Sequence, residues 1–148
     1  KSNMDSLWNE SLLAPIPDEI YPTYITSKVN NQTKRITLTG DKKYLDHVLH
    51  LSQCGHWIYE NELGDFHGET DLKTWKWLNS CATNNSSLNK KLKNKEGVIN
   101  IPLTFNQFLN ISEMCAKLSY QDMEESSEFP DYGLGVAQNI SDIFKSVF

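Results

Sequence analysis

The stretch HVLHLSQCGH, residues 47–56, gathers three of the chain's four histidines and one of its three cysteines into ten positions. Imidazole and thiolate are zinc ligands, and a thiol beside an imidazole is also how a cysteine nucleophile meets its base. On a helix, His47, His50 and Cys54 lie three, four and seven positions apart, so all three project from one face. Leu45, Val48 and Leu49 project from roughly the opposite side, toward a core. The trio is thus expected on a polar face that a metal, substrate or partner can reach.

A catalytic zinc needs three protein ligands and an open position, and a structural zinc needs four. His56, His67, Glu69 or Asp46 could complete such a set. The spacing matches no paired Cys-x-x-Cys frame, so a zinc-dependent enzyme built on His47, His50, Cys54 and His56 is the alternative to a solvated helix face carrying two histidines and a thiol. A nucleophile pair of Cys54 and His56 would need a sharp turn at Gly55, plus an orienting group and oxyanion donors that spacing does not reveal. The sequence contains no glycine-rich phosphate loop, G-x-S-x-G elbow or H-E-x-x-H. The acids Glu60, Glu62, Asp65, Glu69 and Asp71 read as a solvated run.

The elements around this stretch follow from periodicity. A short helix over Leu7, Trp8, Leu12 and Leu13 is stopped by Pro15 and Pro17. PTYITSKVNNQTKRITLTG reads as a hairpin with a two-residue turn at Asn30-Asn31, which sets Ile25 opposite Ile36. A helix opens at Thr39 or Asp41, runs to Gln53 and ends at Gly55. HWIYE then reads as a strand, with ELGDFHGE returning beside it or remaining a loop. TDLKTWKWLNSCA carries the inward stripe Leu72, Trp75, Leu78 and Ala82. The Lys/Asn-rich segment 83–97 reads as a surface loop. VINIPL alternates as a strand, Thr104 and Gln107 form a capping box, and the following helix carries Phe105, Phe108, Leu109, Ile111, Cys115 and Leu118. A last helix buries Leu134, Ile140, Ile143, Phe144 and Val147. The expectation is one α+β domain over residues 1–148, a hairpin or small antiparallel sheet packed against four to five helices.

Charge narrows the partner. The net charge is −5, and thirteen lysines stand against the single Arg35. Acidic surfaces repel phosphate polymers, so direct nucleic-acid binding is not expected, and no apolar run reaches the ~18 residues of a membrane span. A basic protein is the complementary partner. The acids Asp122, Glu124, Glu125, Glu128 and Asp131, interleaved with Phe129 and Tyr132, form a surface suited to capping a basic cleft. Trp77 stands ~200° from Trp75 around its helix and is expected to emerge as a contact residue. These features point to an inhibitory binding module of the immunity-protein or antitoxin kind, with no cofactor.

Three cysteines without a Cys-x-x-Cys pair suggest reduced thiols and a cytoplasmic setting. The sequons at Asn9, Asn31, Asn84, Asn85, Asn110 and Asn139 are the opposing signal for secretion, although Asn110 and Asn139 fall within predicted helices. The start at Lys1 leaves a removed leader or upstream domain open.

Overall fold

A computed structural model describes residues 22–67, 72–116 and 130–148, and of residues 61–67 the backbone alone. The predicted helix over Leu7 to Leu13, Leu118, and the acidic run from Asp122 to Phe129 lie outside the described residues.

The alternating segments form a three-stranded antiparallel sheet of β1 (Ile25–Asn30), β2 (Arg35–Asp41) and β3 (Val98–Thr104), with β2 in the middle. Four helices accompany it among the described residues: α1 (Lys42–His67), α2 (Leu72–Leu92), α3 (Phe105–Cys115) and α4 (Gly133–Val147). The architecture is α+β. Period-two burial drives one sheet face inward: Ile25, Ile36, Leu38, Ile99, Ile101 and Leu103 meet Leu45, Val48, Phe108, Ile111, Val136 and Ile140 of the helices in one core cluster. Each fully buried side chain of this kind contributes roughly 1.5 to 3 kcal/mol.

The hairpin register differs from the expected one. Val29, not Ile25, pairs with Ile36, and Ile25 pairs with Gly40. The cause is the turn. Asn30 Oδ1 accepts from the backbone N–H groups of Gln32 and Thr33 at 3.0 and 3.1 Å, and Lys34 adopts φ 55°, so residues 31–34 make a longer loop. The partner of Ile25 moves four places, from Ile36 to Gly40, and because four is even the same side chains stay inward.

Two larger corrections concern the helices. Asp41 Oδ1 accepts from Lys43 N–H at 3.1 Å and opens α1 where expected. The helix then runs straight through Gly55 and HWIYE, which is therefore not a strand, and the backbone of 61–67 continues it rather than forming a hairpin. Gly55 is not a helix stop. A Cβ there would overlap the Met114 carbonyl oxygen and lie 2.6 Å from its carbon, so the glycine lets α1 and α3 pack backbone to backbone.

Likewise, 83–97 is not one loop. The segment stays helical to Leu92, because Leu78, Cys81, Asn85, Leu88 and Leu92 recur at three- and four-residue steps and are buried. That stripe replaces the expected one: Leu72 and Trp75 are exposed, at 69 % and 37 %.

Among the described residues, β3 and the start of α3 follow expectation. Thr104 Oγ1 accepts from Gln107 N–H at 3.1 Å and Gln107 Oε1 from Thr104 N–H at 3.0 Å, closing the capping box of α3. Along α4, Ile140, Ile143 and Phe144 are buried as expected, whereas Leu134 and Val147 at the two ends of the stripe are half-buried. Asn139 Oδ1 accepts from the N–H groups of Tyr24 and Ile25, at 2.7 and 3.0 Å, and ties α4 to the start of β1. Among the described residues no helix is long and apolar enough to cross a membrane.

Candidate functional site

The helix face expected to carry the His and Cys trio is split by packing. His47 is only 6 % exposed, His50 is exposed and Cys54 is half-buried. Tyr132, at the start of α4, covers His47 edge-on with ring centroids 5.9 Å apart, and the His50 ring stacks against His47 at 6.0 Å. Burial first, and the His50 charge second, bring the His47 pKa down to about 4 from its ordinary 6.5.

Cys54 meets His50 rather than His56, with Sγ 3.6 Å from Nε2 one helical turn away. His56 turns toward α2, where its Nε2 donates to the Leu78 carbonyl at 3.2 Å while Nδ1 lies 3.6 Å from Glu60. His56 therefore does not join the other three. Among the described residues no group of three or more His, Cys, Asp or Glu side chains converges to hold a metal ion. A nucleophilic thiol needs a lowered pKa, whereas burial raises that of Cys54. Burial, and after it Glu113, pushes Cys81 up to about 12, and burial does the same to Cys115 still more strongly.

His47 belongs to an aromatic corner that sequence spacing did not reveal. Tyr24 and Tyr44 approach to 4.7 Å, Tyr44 and Tyr132 to 4.9 Å, and the Lys43 ammonium lies 5.1 Å above the Tyr44 ring. Three separate segments supply these rings: the entry to β1, the first turn of α1 and the start of α4. The step from Tyr44 to His47 was the one local signal. Tyr132, expected at a partner surface, is half-buried here, while the adjacent Asp131 is exposed.

Because the folded pKa of His47 lies below the unfolded one, the unfolded chain takes up more protons between about pH 6.5 and 4, and the stability contributed by neutral His47 is lost as pH falls through that window. His47→Gln removes this component. Denaturant midpoints at pH 7 and pH 5 should differ more for wild type than for the variant; equal pH dependence in both would contradict the burial.

The α1–α2 hairpin holds the second feature. Ser52 Oγ donates to Asn85 Oδ1 at 2.6 Å, and Tyr59 meets Trp77 edge-on at 5.0 Å. Trp77 is thus half-buried against α1, and Trp75 is the more exposed of the pair, the reverse of the expected order. Trp57, hidden from sequence reasoning inside a segment read as a strand, is 66 % exposed. Leu72, five residues before Trp77, lies about 7.5 Å nearer the α1–α2 connection. Trp57, Leu72 and Trp75 are thus the exposed large apolar side chains of this helix pair among the described residues. A polar cleft of about 560 Å³, lined by Lys76, Asn79, Asn84, Asn106 and Asn110 among others, lies between α2 and the start of α3.

Two sequons are structurally occupied: Asn85 is buried on Ser52, and Asn139 is buried on the β1 backbone. Scans against protein-family models, curated proteins and solved structures find no significant match to the chain.

Proposed function

We propose that the chain is a small acidic protein-binding module that occludes a basic partner protein, in the manner of an immunity protein or antitoxin. The observation that carries this reading is the exposure of Trp57 on α1 and of Leu72 and Trp75 on α2, at 66 %, 69 % and 37 %. Exposed tryptophans are typical anchors of protein interfaces, and an exposed leucine adds apolar contact area. The net charge of −5 supplies the sign of the partner. The segment Asp122 to Asp131 adds the acids, with Phe129 and Tyr132 as apolar neighbours, and Trp77 packs on Tyr59 of α1 rather than being directly exposed.

The test starts from the partner retained by the full chain in its native host. Trp57→Ser combined with Leu72→Ser should weaken that complex by about tenfold or more, the loss of one good anchor, while the unfolding midpoint shifts little. An unchanged dissociation constant would remove this surface from the interface.

A further inference from the structure

We propose that the groove on the outer face of the β1–β2 hairpin is an anion site that takes a compact phosphate-bearing molecule. Among the described residues the helices pack on the inner face of the sheet, and β1 is exposed beyond Ile25. On the uncovered face the register sets Lys28 beside Thr37 and Asn30 beside Arg35. With Asn31 and Thr33 of the turn, these side chains line a groove of about 450 Å³, within the range of small-ligand sites. Arg35, the only arginine of the chain, offers the planar fork that pairs with two phosphate oxygens. Asn30 spends its carbonyl oxygen on the turn, which leaves its amide N–H groups as donors.

Further cations crowd the same end of the sheet. Lys91 Nζ donates to the Pro102 carbonyl at 2.6 Å, and Pro102 pairs with Thr37. Burial, then Arg35 and Lys95, lower the Lys91 pKa. The ion pairs among the described residues are Lys42 with Asp46 and His56 with Glu60, and none of the described carboxylates pairs with Lys28, Arg35, Lys91 or Lys95. Mutually repelling cations left together on a chain of net charge −5 are relieved by a bound anion. The acidic remainder of the molecule repels a long polyanion, and no aromatic ring lines the groove to stack a base, so the ligand is compact.

The full chain, labelled with ¹⁵N, is titrated with inorganic phosphate and inorganic pyrophosphate at ionic strength held constant with sodium chloride. The amide signals of residues 28–37 should shift saturably, pyrophosphate should bind more tightly than phosphate, and pyrophosphate should raise the Lys91 pKa. Arg35→Gln should weaken pyrophosphate binding by about tenfold. Lys28→Gln should weaken it by a smaller factor, and Lys76→Gln, in the polar cleft, should leave it unchanged. The same spectra report folding, and Lys28→Gln carries the test should Arg35→Gln unfold. Shifts that fail to saturate, or a pyrophosphate affinity indifferent to both groove variants, would overturn the site. Tighter binding of single-stranded DNA that grows with its length would overturn the compact ligand.

Discussion

Gly55→Ala should destabilise the protein by about 3 kcal/mol or more, although alanine favours a helix interior over glycine by about 1 kcal/mol. The sign is set by space. The added methyl group would overlap the Met114 carbonyl oxygen, which is backbone and cannot rotate away, so α1 and α3 must separate and the core contacts between them loosen. Gln53→Ala, at an exposed position on the same helix, is the control and should be nearly neutral or slightly stabilising. Urea titration of both variants checks the expectation; a Gly55→Ala protein as stable as wild type would mean that the two helices do not approach this closely.

Asn139→Leu should cost about 2 to 4 kcal/mol despite filling a similar volume. The side chain that leaves is the acceptor for two backbone donors, Tyr24 N–H and Ile25 N–H, and a buried donor stripped of its acceptor costs roughly 1 to 3 kcal/mol. Ile25 is a core residue, so the loss falls on the strand end that joins sheet to helix. Asn139→Asp keeps an acceptor oxygen in place and should retain more of the stability than the leucine variant. Equal losses in the two, read from denaturant midpoints, would show that the hydrogen bonds are not what holds β1 against α4. The same geometry makes Asn139 inaccessible to glycosylation in the folded chain.

Elements that carry their own punctuation were legible in the sequence. The Thr104–Gln107 capping box, the alternation of Ile99, Ile101 and Leu103, and the stripe of α4 all lie where local chemistry puts them. Errors arose where a local signal was overruled by a distant contact. Gly55 is a good helix stop in isolation, and only its contact with Met114, 59 positions away (114 − 55), turns it into a packing residue. Asn85 reads locally as part of a polar loop, and only the distant Ser52 gives it a buried partner. Leu72 and Trp75 suggest one phase for α2, whereas the longer run from Leu78 to Leu92 decides which side is buried. For the site, helical spacing identified neighbours along α1, such as His50 and Cys54, but the covering of His47 by Tyr132 depends on the placement of α4. No spacing rule within one helix contains that information.

The central claim, an acidic module that engages a basic protein, is tested most directly by the rate at which the chain associates with its purified partner. Stopped-flow measurements at two ionic strengths would compare wild type with Glu124→Gln, Glu125→Gln and Glu128→Gln combined. Screening acts over ~8 to 10 Å at moderate salt, so wild-type association should slow as salt rises. The triple variant should associate more slowly at low salt and depend less on salt, with the unfolding midpoint nearly unchanged. An association rate and a salt dependence identical to wild type would contradict the claim that these acids meet a basic surface.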